Sequence, residues 1–453
     1  MNNYASGALG PIDFGKFFQS HHIPGMYDRF FSVPIYYDPV EEEYHWPSSI
    51  TAVTHIADMP GNDAFSRLRV SNPGYRFDSQ FTYRINSDLW DTQVSTGSTI
   101  LQDATNRWVT LTTATGSNAY ARLQSHYHSP YTPGRSQLCY ITGMFGAALP
   151  SGAVRKMGYR CIDELNGIYL EQTSTGVNFV LDGGTTLGTQ RVSQSVWNVD
   201  TFDGQGNSGI TLDLTKIQIL VIDLQALYSG RVRCGFDVDG VLYWAHQFLH
   251  ANRVPYPYIQ LAGLPVSWEV TSSSGSVNMH SICATVISDG GADLFDIPGV
   301  TYGITSGAAS IGVNSRAPIL SIRVKSTYNN IMYNGLLLPV EIETMCQTNS
   351  AVVEIVKNGI LSGPVSWQDV DTVRSATQYD KGATGIVSGS VVATTFAVAG
   401  TGSNRLTNVQ NLLGKLVMSL GHLTNVQDTL TVVVTPVTGT SNVNCSIDWK
   451  EVR

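Results

Sequence analysis

The 453 residues are 42% hydrophobic and only 14% charged, with 43 Gly and 21 Tyr, a composition that suits sheets and not helical bundles. The formal net charge of -8 and a pI near 5.6 argue against a nucleic-acid partner, because phosphate neutralisation needs clustered Lys and Arg. No apolar run approaches the ~20 residues that a membrane-spanning helix requires, which excludes membrane insertion through a helix.

A chain of this length is expected to form about two or three domains, each able to bury a core without staples. Met1 to Ile12 lacks a cationic stretch followed by a continuous apolar one, so the protein is expected to mature in the cytoplasm of the cell that makes it. The six cysteines at 139, 161, 234, 283, 346 and 445 contain no CxxC pair. Neither a zinc ribbon nor a thioredoxin-like site is spelled out, and the expectation is free, mostly buried thiols, with a disulfide as the alternative.

Residues 1–61 carry Phe14, Phe17, Phe18, Tyr27, Phe30, Phe31, Tyr36, Tyr37 and Trp46 among Pro and Gly, with no sustained helical or alternating period. This reads as an extended N-terminal arm that buries its large apolar side chains on another domain or a neighbouring subunit. An irregular lid on the chain's own core fits the same residues. From about Phe77 onward, short alternating runs separated by Gly, Asn, Asp, Ser and Pro signal an antiparallel sandwich over 62–291. Its clearest part is Gln218–Gln225 followed by Arg231–Phe248. There, Val232, Cys234, Phe236 and Val238 share one face, and Asp239-Gly240 makes a tight hairpin turn.

Between 292 and 315 the text turns to Gly, Ala, Ser and Thr and reads as a linker or loop. A smaller C-terminal β-sandwich is expected over 316–453, from the β-branched runs Ile319–Lys325, Leu337–Thr344, Ala351–Lys357, Val391–Val398, Thr429–Thr435 and Val443–Val452. Asn408 to Ser419 fits either one short helix or a strand. No solenoid period is present, which argues against a β-helical shaft.

The run NDAFSRLRVSNPGYRFDSQFTY, Asn62 to Tyr83, resembles a segment of tailed-bacteriophage virion structural proteins that reads NDAFGRLRVSNPxTLFDSQ. It departs from that pattern at Ser66, where the family usually has Gly. His126 to Gln137, Trp197 to Ile222, Gly230 to Asn252 and Val286 to Gly291 also resemble segments of that family, so the likeness spans roughly Asn62 to Gly291. It implies a virion protein and names no molecular activity. The strand, Asp-Gly turn, strand arrangement resembles the concanavalin-like jelly roll. The fold expectation is therefore all-β: an arm, a jelly-roll sandwich and a smaller β-sandwich.

Chemistry is sparse in the text. His246-Gln-Phe-Leu-His250 has the histidine spacing of HExxH but puts Gln247 where a metalloprotease needs its glutamate, and along a strand its histidines stand ~13 Å apart. His126 and His128 lie two apart and read as a surface or core-edge pair. Asp200 and Asp203 sit in a Gly-rich loop that could wrap Ca²⁺, although a plain turn serves the same residues. Asp237 and Asp239 flank the hairpin turn and are expected to serve it. Glu341 and Glu343 share a strand face, expected to be solvated. Trp244, Tyr256 and Tyr258 could line a glycan site if their rings face solvent; otherwise they are core. Asp63, Arg67 and Arg69 are expected to pin the arm at the domain entrance through salt bridges or backbone hydrogen bonds.

The functional expectation is a non-enzymatic structural protein on the exterior of a tailed-phage virion, without a cofactor, either a capsid decoration or head fibre. It assembles with itself and other virion proteins through Phe14, Phe17, Phe18, Phe30, Phe31 and Trp46. The alternatives are a tail fibre or baseplate adhesin whose jelly roll binds a host surface glycan, and a polysaccharide hydrolase, for which no acid, base and nucleophile set is legible.

Overall fold

The computed structural model describes residues 61–453 apart from 262, 291–295, 401–403 and 407–415, together with two short strands nearer the N-terminus. It is all-β: among the described residues the helical content is a four-residue turn at Gly184–Leu187 and a three-residue one at Gln194–Val196. No helix among the described residues is long and apolar enough to cross a membrane. The chain divides into Met1–Asp58 and Met59–Arg453. In the first unit, Tyr36–Asp38 pairs with Glu43–His45, so this part is a small ladder and not simply extended, in keeping with the strand preference of its tyrosines. Phe14, Phe17, Phe18, Phe30, Phe31 and Trp46 lie outside the described residues.

The second unit holds two sandwiches. In the first, a seven-stranded sheet runs Thr189–Ser193, Gly176–Gly183, Asn166–Thr173, Ala153–Cys161, Val266–Ser272, Ala119–Ser125, Trp90–Val94. It faces an eight-stranded sheet in which Val241–Phe248, Val232–Val238, Gln218–Gln225, Ser136–Met144, Asn278–Ser288, Trp108–Thr112 and Thr99–Asp103 follow one another, with Gly74–Gln80 also on Asn278–Ser288. The late strands Val266–Ser272 and Asn278–Ser288 enter the middle of the two sheets, beside Ala153–Cys161 and Ser136–Met144. That non-sequential pairing is what a concanavalin-like sandwich requires.

Alternation fills the space between the sheets. Leu220, Ile222 and Leu224 meet Val232, Cys234 and Phe236 from one sheet and Leu123, Met157, Leu170, Phe179 and Trp268 from the other, all buried. Phe77, Phe81, Trp90 and Trp268 form an aromatic knot with ring centroids 5.2–6.2 Å apart. Burying each such ring stabilises the fold by roughly 1.5–3 kcal/mol. The hairpin turn is as expected: Val238 pairs with Val241, and Asp239 and Gly240 have φ of 54° and 82°, the two left-handed positions of a type I′ turn. Asp237 accepts the Gly240 N–H at 3.0 Å.

The second sandwich pairs a sheet built on Ser441–Val452 and Leu336–Cys346 with one built on Ala317–Val324, Thr429–Pro436 and Ala351–Lys357. Ile322, Ile342, Val353, Ile355, Val432, Ile447 and Trp449 form its core. The expected linker needs correction. Val300–Thr305 and Ile311–Val313 are strands that pair with Ser441–Val452, and Tyr302, Ile304, Ile311 and Val313 pack on the core. Small residues are tolerated there because backbone hydrogen bonds to a long neighbour hold the strands and every second side chain is apolar. The stretch Asn408 to Ser419 falls mostly outside the described residues. Five of the six cysteines are buried and Cys283 is half-buried.

The sandwiches meet along a polar seam. His126 Nδ1 lies 2.8 Å from Asp91 Oδ1 in the first, and its Nε2 lies 3.3 Å from Asp428 Oδ2 in the second. Burial opposes the His126 charge, but the two carboxylates prevail and its pKa rises to about 10. A side chain at position 421 would collide with the Asp91 carboxylate and the His126 ring, so the seam requires Gly421 there.

Candidate functional site

The segment that begins at Asn62 folds back on itself before entering the first sandwich. Asn62 bridges to Leu68, Arg69 N–H donates to Gly61 O at 3.1 Å, and Ser66 stands at the tip with φ 63°. Asp63 is the keystone. Its Oδ1 accepts the N–H groups of Phe65 and Arg67 at 3.0 and 2.7 Å, and its Oδ2 accepts Arg67 Nε at 2.8 Å. A carboxylate next to free backbone N–H groups closes such a loop because it satisfies several donors at once.

The loop is fastened to the outer face of the eight-stranded sheet, opposite the core. Along Gln218–Gln225, alternation sends Leu220, Ile222 and Leu224 inward and Asp223 outward, yet Asp223 is fully covered. Its carboxylate receives Arg69 Nη2 at 2.8 Å and the Ser136 hydroxyl at 2.5 Å, and it pairs with Arg233, which also donates to Asn62 O at 2.7 Å. Arg69 forks to Asp289 at 3.0 and 3.1 Å. Burial works against the Arg69 charge, but Asp223 and Asp289 outweigh it and raise the pKa. Arg231 holds Ala64 O at 2.9 Å. Ion pairs sealed from water with matched geometry are what make a segment difficult to detach.

Asp63 and Arg67 thus close the loop on itself and Arg69 fastens it to the sheet, while the residues that hold the loop there, Asp223, Arg233, Ser136 and Asp289, carry no local signal. A buried Asp in a strand is visible only once the strand's outer face is known to be covered. Immediately beside this joint, Leu68 and Val70 are 62% and 86% exposed, and their apolar side chains are open to a neighbour.

The aromatic candidates do not form a platform. Trp244 is covered, its ring under the Arg233 guanidinium at 4.3 Å and against Leu138 and Val221, and Tyr258 is buried against His250 with ring centroids 4.6 Å apart. Only Tyr256 faces solvent. The condition for stacking a sugar on these three rings is not met, because Trp244 closes the anchoring cluster and Tyr258 fills the core. The Asp200 carboxylate accepts the N–H groups of Phe202 and Ser208, and Asp203 accepts those of Gln205 and the Thr201 hydroxyl. Both bind their own loop, as in an Asx turn. His246 receives the Asn198 N–H, and His250 Nδ1 lies 2.8 Å from Gly230 O. Glu341 and Glu343 are half-buried on the face opposite Ile342.

Sequence reasoning missed a second charged cluster, on the outer face of the seven-stranded sheet. Glu269 is 3% exposed and meets Arg122 Nε at 2.8 Å, Arg160 Nη1 at 3.1 Å and Lys156 Nζ at 3.4 Å. Burial would raise its pKa, but the three cations bring it down to about 2. Nearby, Tyr169 donates to Asp182 and Arg191 clasps Glu171. The correction to the expected His126–His128 pair is also plain: both rings are buried, at 5% and 1% exposure, because the second sandwich covers them.

No family model matches the chain, and no curated protein does. Among solved structures, a glycoside hydrolase family protein from Mycobacterium thermorestibile aligns with a TM-score of 0.34 and 10% identity, over 47% of this chain and 99% of its own. The metal-free Emp46p carbohydrate recognition domain gives 0.29 and 9%, over 48% and 97%. A carbohydrate esterase from the Shiga toxin-encoding bacteriophage phi24B gives 0.29 and 12%, over 48% and 100%. At these scores the likenesses carry no inference about what this chain binds or catalyses.

Proposed function

We propose that the chain is a non-enzymatic structural subunit of a tailed-phage virion, with a two-sandwich body that presents its N-terminal residues to neighbouring subunits. The observation that carries this reading is the anchored loop Asn62–Arg69. Within the segment that resembles the phage run, Asp63 and Arg67 close the loop on each other and Arg69 binds Asp223 and Asp289 of the body, which supports a mechanical role for the motif. A joint of this kind is what a subunit needs where a segment that bears load or binds a neighbour leaves the body. The apolar residues of 1–61 and the exposed Leu68 and Val70 give such a neighbour something to bury.

The test has two stages. Mass spectrometry of gradient-purified particles should find the chain at a fixed copy number, and its absence from particles overturns the reading. Light scattering of the purified full chain should give a homo-oligomer that Phe30→Ser with Phe31→Ser weakens; an unchanged monomer in both would remove assembly through the arm. Cryo-electron microscopy then separates the exterior of the head from the tail.

A further inference from the structure

Three side chains that can ligate a metal converge at the seam, from places far apart in the sequence. His128 follows the strand Ala119–Ser125, Cys161 ends the strand Ala153–Cys161, and His422 belongs to the second sandwich just after Leu420–Gly421. All three are buried, and one ligand atom from each, a ring nitrogen of either histidine and the Cys161 Sγ, lies within 4.8 Å of the other two. The Cys161 Sγ to His422 Nδ1 separation is 3.8 Å, and the two imidazole rings lie 4.1 Å apart at 38°.

The hydrogen bonds behind the rings fix which nitrogen is free. His128 Nδ1 lies 3.1 Å from Gly263 O and His422 Nε2 lies 3.0 Å from Tyr333 O. A carbonyl oxygen only accepts, so each of those nitrogens carries the proton, and in the neutral ring the other nitrogen presents a lone pair. The two lone pairs face one cluster. The Cys161 S–H can donate to His422 Nδ1, but among the described residues His128 Nε2 has no hydrogen-bond partner. A buried acceptor without a donor is rare. Imidazoles oriented through a backbone carbonyl on the far nitrogen are the usual arrangement behind a metal.

We propose that His128, Cys161 and His422 form a zinc site that ties the two sandwiches together. Two imidazole nitrogens and one thiolate are the donor set of a borderline-soft divalent cation. Adjacent N and S ligands on tetrahedral zinc stand roughly 3.3–3.7 Å apart, and the Cys161–His422 pair, at 3.8 Å, already stands close to that spacing. The Cys161 thiol gives up its proton as the Zn–S bond forms, one proton leaving per zinc bound, and no electrons are transferred. The fourth tetrahedral position goes to water. Because His422 is the only one of the three from the second sandwich, the ion is a cross-link between them.

The test uses the full chain, stripped with a chelator and dialysed against Zn²⁺, then assayed by elemental analysis. One zinc per chain is expected in the wild type and none in Cys161→Ser or His422→Ala, while Cys283→Ser, at the half-buried cysteine, keeps its zinc. Since a seam variant can fail to fold, the wild type is also loaded with Co²⁺, where a thiolate-to-cobalt charge-transfer band near the ultraviolet edge must appear. Zinc-free wild type after dialysis, no such band, or a Cys161→Ser protein that is folded by circular dichroism and still holds one zinc would each overturn the site. Zinc lost in Cys283→Ser instead would reassign the metal to that half-buried thiol and overturn the site equally.

Discussion

On the outer face of the eight-stranded sheet, the buried Asp223 meets Arg69, Arg233 and the Ser136 hydroxyl. At the seam, the equally buried His128 keeps one nitrogen without a donor among the described residues. The first cluster is made of charges, and a buried charge survives only with an opposite partner, so it closes on itself. The second is made of neutral rings and a thiol, whose burial costs less than that of a charge, and it leaves ligand atoms close to one another. Clusters of paired charges join pieces of a fold; a cluster of neutral ligand atoms has capacity for a metal ion. The contrast separates two kinds of polar burial that exposure values alone treat alike.

The harshest way to break the contrast is to remove the carboxylate from the closed cluster. Asp223→Ala leaves Arg233 fully buried and Arg69 half-buried, without their shared anion. Urea unfolding of the full chain should show a loss of about 3–5 kcal/mol, with protease cleavage before residue 73 appearing under native conditions. A loss under 1 kcal/mol would mean that the loop is held by its backbone contacts and not by the ion pairs.

Acid offers a second break, at the other charged cluster. The Glu269 pKa is lowered from the usual 4.5 to about 2. A depressed carboxyl pKa contributes stability that is fully present above the unfolded value and is lost as pH falls through the folded one. The window is therefore pH 4.5 down to 2, and the lowering corresponds to about 3 kcal/mol. Wild type and Glu269→Gln should differ by about that amount at pH 6 and converge towards pH 2. A gap that does not change with pH would place the effect in packing.

Loading the seam sharpens the comparison from the other side. Zinc at about 100 times its Kd should raise the unfolding free energy of the wild type by about 2.7 kcal/mol and leave Cys161→Ser unmoved in thermal melts. The closed clusters contain only carboxylates already occupied by cations, so no comparable shift is expected from Ca²⁺.

Much of the fold was legible because period-two alternation and turn chemistry are local: the ladder from Gln218 to Phe248, its Asp239-Gly240 turn and Ala351–Lys357 all follow from neighbouring residues. The strands at Val300–Thr305 and Ile311–Val313 were not, since their small side chains mimic a linker and only pairing with Ser441–Val452 reveals them. The same limit governs the sites. Asp63, Arg67 and Arg69 stand together in the text, whereas His128, Cys161 and His422 meet only because two sandwiches pack together. His126 and His128 were visible as a pair, but their burial depended on a surface supplied some 300 residues later.

The smallest expected effect tests why the anchored loop has its shape. Ser66 holds φ 63°, a conformation that costs a residue with a Cβ roughly 1 kcal/mol and glycine nothing. The phage segment that this run resembles usually has Gly at this place. Ser66→Gly relieves that strain but frees the unfolded chain and removes an exposed hydrogen bond from Arg231 to the Ser66 hydroxyl at 3.3 Å. The net should be a gain of about 0.5 kcal/mol. Ser66→Val, β-branched and without the hydroxyl, should lose more than 1 kcal/mol at the same position. Opposite signs for the two variants in urea unfolding would tie residue 66 to a backbone requirement of the loop. A loss in both would mean that the Arg231 contact, and not the left-handed turn, sets the residue at the tip.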